Sequence, residues 1–202
     1  EISTLAEKFR VYDNIKKAIE ILESDGPNVT DLIPESRSNI GMALEGAKTY
    51  DDVIAVSGRI TSLYGKRVKA AAGPEFGASR HVANMILASL RYDKTIRSAM
   101  NIRYDPKVLD ACNKLGLITA SYDRKLEPTE TKNKEGATTF WGAEQAILKS
   151  KRFPDVIYHL GDFGKEPMVV LLGNDAVSVA ETALKIAKIM SGESSLHRKP
   201  KL

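Results

Sequence analysis

A glycine-rich stretch in the first half of the chain carries residue types that bind phosphate. Gly73-Pro74 and Gly77 interrupt regular structure, because glycine adopts positive φ angles and proline lacks an N–H group. Ser79 is a typical N-cap, and the helix behind it would point backbone N–H groups and its positive dipole end at one place. Arg80 and His81 add basic groups in the first turn. The pattern predicts an anion site, although both residues could equally be exposed to solvent without a ligand.

Other charged, polar and glycine residues lie at or after the ends of predicted strands. They are Arg59 after Gly58, the pair Asn101 and Arg103, the pair Asp123 and Arg124, and Asp162, Gly164 and Lys165 in a second glycine-rich turn. Guanidinium forks, a lysine point charge and flexible glycine backbone together suit a diphosphate. Asp162 and Asp123 could hold Mg²⁺, which takes one or two protein carboxylates besides substrate phosphates. Each aspartate could instead simply form a turn.

Several other kinds of catalytic site are not indicated. Ser79 and His81 lie too close in sequence to share a helix face as part of a triad, and the three histidines show no metal-ligand spacing. The Walker A pattern is absent. An aldolase-like Schiff base on Lys69 or Lys165 stays open, because burial decides whether a lysine is nucleophilic.

Composition limits the class of protein. The 202 residues are 43% hydrophobic and 28% charged, which is typical of a globular chain, and the net charge of +4 favours anionic ligands without indicating nucleic acid. One cysteine, Cys112, excludes an intrachain disulfide and a multi-thiolate metal site. No apolar run suggests a membrane span or signal peptide, which predicts a cytoplasmic protein. Because the sequence begins with Glu1, we expect it to be part of a longer chain.

The elements that must position these groups follow from periodicity. Residues 2–24 predict an amphipathic helix that could pack on its own domain or on a second copy, and residues 39–44 and 53–56 predict strands. The second strand pattern continues to Tyr64, and residues 67–72 can return antiparallel to it before the glycine loop. A helix with apolar residues at Val82, Met85 and Ile86 then follows Ser79.

The second half of the sequence alternates strands and helices. The patterns predict strands at 96–104, 117–121, 156–159 and 168–172, helices at 106–115, 138–150 and 177–190, and a long mobile loop at 125–136. We therefore predict a single-domain α/β sandwich with a mixed sheet at 28–190, preceded by a helix and linker at 1–27 and followed by a disordered tail at 191–202. In such sheets ligands bind beyond the carboxyl ends of strands.

Several stretches together resemble one family. They are Gly58–Ile60, Phe76–His81, Ala99–Tyr104, Tyr122–Arg124, Glu135-Gly136 with Trp141-Gly142, and Gly161–Pro167. In combination, and across Arg10 to Met190, the sequence is similar to the archaeal ThiN family of thiamine-phosphate synthases. In that family the domain usually follows a hydroxymethylpyrimidine kinase domain, so the resemblance implies such a fusion.

The resemblance also implies a reaction and a site. The reaction joins hydroxymethylpyrimidine diphosphate, presented with Mg²⁺, to hydroxyethylthiazole phosphate, giving thiamine phosphate and pyrophosphate. Arg59 and His81 are then expected to be catalytic, with Asp162 also as a candidate metal ligand. The expected phosphate-binding residues are Gly77, Ala78, Ser79, Arg80, Asn101, Arg103 and Lys165, and the expected substrate-binding residues are Asp123, Asp162 and Gly164.

The same resemblance allows a rival role, and the first helix suggests a quaternary structure. ThiN-like domains also serve in archaeal regulators, where one follows a DNA-binding module and senses thiamine phosphates without turnover. The segment before the first predicted strand shows one helix, which is too little for a DNA-binding module. A homodimer is expected if the first helix has nowhere else to bury its apolar stripe, and the partners are otherwise small phosphorylated substrates, not nucleic acid or membrane.

Overall fold

The order of helices and strands follows the predicted alternation closely. A computed structural model describes residues 2–132 and 136–192. The helices are α1 (Ile2–Ser24), α2 (Gly26–Val29), α3 (Arg80–Leu90), α4 (Pro106–Lys114), α5 (Thr129–Lys132), α6 (Ala137–Lys149) and α7 (Ala176–Met190). The strands are β1 (Ile40–Ala43), β2 (Val53–Val56), β3 (Ile60–Leu63), β4 (Arg67–Ala70), β5 (Pro74–Phe76), β6 (Ser98–Arg103), β7 (Thr119–Ser121), β8 (Val156–His159) and β9 (Met168–Gly173).

Seven of these strands form one sheet in the order β5-β2-β1-β6-β9-β8-β7, and β3 and β4 form a separate two-stranded sheet. Within the large sheet only β7 and β8 run parallel, and the other neighbours are antiparallel. The predicted mixed sheet is therefore confirmed.

Helices cover both faces of the large sheet because its central strands alternate their apolar side chains between the two faces. Val169 and Leu171 of β9 face the core that contains α1, α4 and α7, whereas Val170 and Leu172 face the core that contains α3 and α6. This arrangement confirms the predicted α/β sandwich. None of the helices in the described part of the chain has the length and apolar character needed to cross a membrane.

Helix α1 packs mainly against α7 of its own domain. Val11, Ile15 and Leu22 are buried there, but Leu5 and Phe9, which belong to the predicted apolar stripe, are 69% and 68% exposed. The helix is confirmed, and of the two packing arrangements left open it packs on its own domain except in its first turns. A homodimer was expected only if α1 had no apolar surface of its own chain to pack against. Most of α1 does pack against α7, so this reason for a homodimer applies only to its first turns.

The region between β2 and α3 differs from the prediction. The predicted strand at 67–72 is shortened to β4 and pairs only with β3, away from the large sheet. The strand that leads into α3 is instead β5, which starts at Pro74 and pairs with β2 at the sheet edge. Sequence reasoning missed it because proline was taken as a break, although proline is tolerated at the first position of an edge strand.

The predicted mobile loop at 125–136 is also partly wrong. Residues 124–126 form a 3₁₀ turn, and α5 adds a helical turn, whereas residues 133–135 lie outside the described residues. Glu127 is buried between these two short elements and accepts a hydrogen bond from Thr138 of α6. A buried charged residue thus fixes a segment that looked unanchored. The predicted disordered tail lies outside the described residues from position 193 onwards.

Replacement of Gly142 by alanine is expected to destabilise the fold, because α6 lies against the ring of Tyr122 at this position. A Cβ atom at Gly142 would lie 2.3 Å from the Cε2 and Cζ atoms of Tyr122, so the ring must move. We expect the free energy of unfolding to fall by about 1–3 kcal/mol in urea denaturation. Gly73→Ala is the matched control, since nothing lies within 4 Å of its added Cβ. Equal stability of the two variants would contradict this packing.

Candidate active site

One end of the sheet collects the polar side chains. The antiparallel register places the carboxyl ends of β2, β6 and β8 beside the amino ends of β1 and β9, as in the pairs Ile40 with Met100 and His159 with Met168. The rule that ligands bind at carboxyl ends of strands describes parallel sheets. For this mixed sheet the rule was incomplete, because the segments that precede β1 and β9 lie at the same end of the sheet as the carboxyl ends of β2, β6 and β8.

A cavity of about 220 Å³ opens at this end of the sheet. Its walls are formed by Ser36, Arg37, Asn39, Arg59, Ser79, His81, Asn101 and Met168. Arg59, Ser79, His81 and Asn101 were predicted to belong to one site, and the structure brings these four together. The others were missed, although the polar run from 35 to 39 just before a buried strand was a usable signal.

Arg59 enters the cavity from a strained turn. It has φ +74 directly after Gly58 at φ +77, a left-handed conformation that arginine rarely adopts. Its carbonyl accepts a 2.9 Å hydrogen bond from the Ala71 amide, and its Nη1 donates to the Ser36 carbonyl. Arg37, on the same cavity wall, is also left-handed, with φ 70. Strained backbone of this kind collects at functional sites, where the surrounding structure holds it.

Asn101 and Asn39 form a buried brace beneath the cavity. The Asn101 side-chain oxygen accepts a 2.7 Å hydrogen bond from the Asn39 amide, and its nitrogen donates to the Arg37 carbonyl at 3.0 Å. The Asn39 side chain in turn bonds both the amide and the carbonyl of Val56. Asn101 was predicted to bind phosphate, but its carboxamide is largely engaged in holding the 37–39 segment beside β2. The contacts show a positioning task, and phosphate binding stays a prediction.

His81 lies in the first turn of α3, where Ser79 caps the helix by accepting from the Val82 amide at 3.4 Å. Its Nδ1 is 3.1 Å from the hydroxyl of Thr139, and its Nε2 is buried with no protein partner. Burial first, and then the charges of Arg59 and Arg124, lower the pKa of His81 to about 4. The imidazole is therefore neutral at pH 7. In the tautomer in which the Thr139 hydroxyl donates to Nδ1, the ring proton lies on Nε2, which can then donate to an anion.

A second histidine, His159, has an environment similar to that of His81. The buried His159 accepts from the Gly161 amide at its Nδ1, 3.1 Å away, which leaves its proton on Nε2. Burial, followed by the charges of Arg124 and His81, lowers the pKa of His159 to about 4. Sequence reasoning set His159 aside because it looked only for metal-ligand spacing. Two neutral imidazoles beside arginines point instead to a site prepared for negative charge.

The remaining predicted phosphate contacts do not line this cavity. Gly77 gives its amide to the Val53 carbonyl at 2.9 Å, so that N–H is already used. Arg80 stacks over the Tyr50 ring at 5.1 Å. Ala78 lies between Gly77 and Arg80 in the chain. Arg103 is exposed but pairs in register with Met168, which places it at the same end of the sheet. Their phosphate-binding roles stay predictions.

The predicted substrate contacts lie on the other side of His159. Asp123 lines a second cavity of about 330 Å³ together with Tyr122, Tyr158 and Gly161. Asp162, Gly164 and the exposed Lys165 lie in the tight turn that follows, which is closed by backbone hydrogen bonds between Asp162 and Lys165. The two cavities are neighbours, because His159 lies between Tyr158 and Gly161 in the chain and pairs with Met168 of the first cavity.

Among residues 2–132 and 136–192 no group of three or more His, Cys, Asp or Glu side chains is placed to hold a metal. Asp162 accepts from the Phe163 amide and Asp123 from the Lys125 amide, as expected of turn residues. A magnesium ion would thus have at most one or two protein carboxylates and would depend on its phosphate ligands.

The lysines proposed for a Schiff base lack the required setting. Lys69 is 61% exposed and forms a 2.6 Å ion pair with Glu23. Lys165 is exposed in its turn. Because a nucleophilic lysine needs burial or a neighbouring cation to lose its proton, the aldolase-like alternative finds no support.

An α/β domain with an electropositive cavity at one sheet end belongs to the class of anion-binding domains, and comparisons narrow that class. The family model described as thiamine-phosphate synthase ThiN matches residues 14–185. The chain is 46% identical over 176 residues to the thiamine-phosphate synthase ThiN of Methanothermobacter thermautotrophicus, covering 87% of this chain and 92% of that protein. This chain belongs to the ThiN family, as its sequence motifs indicated.

Two further relatives show the same domain in a longer context. The chain is 38% identical over 186 residues to the bifunctional thiamine biosynthesis protein ThiDN of Methanocaldococcus jannaschii, covering 92% of this chain but 42% of that protein. The crystal structure of the C-terminal domain of a phosphomethylpyrimidine kinase superposes with a TM-score of 0.83 at 41% identity, covering 89% of this chain and 100% of that domain. Relatives of this chain thus occur as C-terminal domains of bifunctional proteins.

Replacement of Asn101 by alanine tests the brace. The change leaves the buried Asn39 amide and Arg37 carbonyl without their partner, so we expect the free energy of unfolding to fall by about 1–3 kcal/mol. Asn113→Ala, at an exposed position on α4, is the control and should change stability little. Unchanged stability of Asn101→Ala, together with weaker phosphate binding, would instead favour a direct ligand role.

The two neutral histidines should make stability depend on pH. Their folded pKa of about 4 lies below the ordinary 6.5, so between these values the unfolded chain binds protons that the folded chain does not. Stability should therefore fall as the pH drops from about 6.5 to 4, by about 1 kcal/mol or more for each histidine.

The pH prediction is measured by urea denaturation of the wild type and His159→Gln. Glutamine can still accept from the Gly161 amide but does not titrate. The two stability curves should run parallel above pH 7, and the wild type should fall more steeply in acid. Identical slopes would show that His159 is not held neutral by the fold.

Proposed function

We propose that this chain is a thiamine-phosphate synthase that couples hydroxymethylpyrimidine diphosphate to hydroxyethylthiazole phosphate. The single observation that carries the proposal is the placement of Arg59 and His81 on one cavity, with the buried Nε2 of His81 lacking a protein partner. Family membership supports the reaction. The cavity of about 220 Å³ has room for a pyrophosphate group, and the neighbouring cavity of about 330 Å³ adds space for rings.

The reaction requires no covalent bond between the protein and its substrates. The bond between the pyrimidinylmethyl carbon and the pyrophosphate oxygen breaks with its electron pair on oxygen, and the electron-rich pyrimidine stabilises the resulting cation. The lone pair of the thiazole nitrogen then forms the new C–N bond. No proton has to be removed, so the protein must stabilise the departing anion and align two rings.

The residues fit these two tasks. The guanidinium of Arg59 stabilises the negative charge that develops on pyrophosphate, and neutral His81 donates its Nε2 proton in a hydrogen bond to the same anion. His81 acts as a donor and not as a proton-transferring acid, because its low pKa leaves it without the extra proton at pH 7. The predicted contacts at Ser79, Arg103 and Lys165 would bind further phosphate oxygens, and Asp123 would contact a ring.

Other parts of the proposal concern partners and metal. Mg²⁺ would arrive as the complex of the diphosphate substrate, with Asp162 as a candidate ligand. A homodimer is proposed through the exposed side of α1, where Leu5 and Phe9 are accessible. Fusion to an N-terminal kinase domain is proposed because the bifunctional relative from M. jannaschii is more than twice as long as the matched region. The source is proposed to be archaeal.

The test is thiamine phosphate formation from the two purified substrates with Mg²⁺. Arg59→Ala and His81→Ala should each lower kcat by about 10²–10³, the usual effect of removing one charge-stabilising donor. Arg152→Ala is the control, because this exposed arginine precedes β8 at the opposite end of the sheet, and it should keep wild-type activity. Melting temperatures of all variants show whether the fold is retained.

Two results would overturn the proposal. Absence of turnover in the wild type, combined with thermal stabilisation by thiamine phosphate, would favour the sensor function. Absence of both turnover and binding would show that family membership does not predict function here. Full activity of the Arg59→Ala and His81→Ala variants would support the synthase function but show that these two residues are not catalytic.

A further inference from the structure

Arg124 is a buried arginine for which the proposed reaction has so far required no role. It lies in the 3₁₀ turn after β7, and its side chain is only 16% exposed. One of its Nη atoms lies 3.9 Å from a carboxylate oxygen of Glu127, and its Nε atom is buried with no hydrogen-bond partner. An arginine fork that is taken out of water usually has its donors satisfied, so this unused donor requires an explanation.

The charge of Arg124 acts on the histidines of the site, and hydrogen bonds connect its partner Glu127 to the helix that contacts His81. Its charge, after burial, contributes to the lowered pKa of both His81 and His159. The carboxylate of Glu127 also accepts from the Thr138 hydroxyl, and the next residue, Thr139, contacts His81. Two adjacent threonines at the start of α6 therefore fix Arg124 and His81 relative to each other.

The balance of charge around the cavity is positive. Arg37 and Arg59 line it, and none of the described residues that line it is an Asp or Glu. Arg124 has a carboxylate contact at 3.9 Å, to Glu127. A buried cation with one distant counter-charge is unfavourable unless an anion completes its coordination. The Nε atom of Arg124 and the Nε2 atom of His81 are both buried without a hydrogen-bond partner, so neither donor is satisfied within the protein.

We propose that Arg124 is a third ligand of the anion that Arg59 and His81 bind, held in place by Glu127 and Thr138. The identity of that anion as pyrophosphate rests on the proposed function. The Arg124 guanidinium donates from Nε to a phosphate oxygen, and its long contact with Glu127 leaves most of its charge for the ligand. The deep donors, Arg124 and His81, thus bind the anion from within the domain, and the exposed Arg59 binds it from the rim.

The experiment measures the affinity for inorganic pyrophosphate by calorimetry at fixed salt, separately from turnover. We expect Arg124→Gln to weaken binding by roughly 10- to 100-fold, the usual range for a charge-assisted hydrogen bond. Arg124→Lys keeps the charge but lacks the fork, so it should weaken binding roughly 3- to 10-fold. Arg91→Gln is the control, since Arg91 is 61% exposed and pairs with Glu144 on the outside of α3.

Melting temperatures with and without pyrophosphate separate binding from folding. If Arg124 only holds its turn together, Arg124→Gln will melt earlier but bind pyrophosphate within twofold of the wild type, and the proposal is wrong. If Arg124→Gln does not fold, unchanged affinity of Arg124→Lys overturns it equally. If the wild type binds pyrophosphate and Arg124→Gln does not, the proposal for Arg124 is supported even if the turnover assay shows no synthase activity. Failure of this proposal is therefore distinguishable from failure of the proposed function.

Discussion

The antiparallel run β1-β6-β9 in the middle of the sheet is the constraint on which the site depends. It brings the start of one strand beside the end of the next, so that Asn39 lies against Asn101 and Met168 lies beside Arg103. The hydrogen bonds of the two asparagines then fix the 37–39 segment to the end of β2, where Arg59 follows. The cavity is therefore a product of strand register as much as of its lining residues.

Positive charge is concentrated at the cavity, because Arg37 and Arg59 both line it. His81 and His159 are neutral and so add no charge to that of Arg37, Arg59 and Arg124, yet each can still donate a hydrogen bond. Thr139 and the Gly161 amide orient the two rings from behind. Such preorganised donors suit a reaction whose main difficulty is the departure of an anion, because little reorganisation is then required as the charge develops.

Local signals in the sequence predicted local structure well. Ser79 was expected to cap α3 and does so, and the apolar spacing of Val82, Met85 and Ile86 correctly gave the buried face. The pairing of β5 with β2 was missed because it depends on an edge position that no local pattern reveals. Arg59 and His81 could be placed in one site only through family resemblance, and Arg37 and His159 were missed because their importance arises from contacts distant in sequence.

The left-handed backbone at Arg59 has an evolutionary consequence. Glycine would adopt φ +74 without strain, whereas arginine pays about 1–3 kcal/mol for it. A lineage selected for heat resistance alone would therefore gain by replacing this arginine and would lose its anion site in the process. Arginine at this position therefore makes the domain less stable than its fold allows.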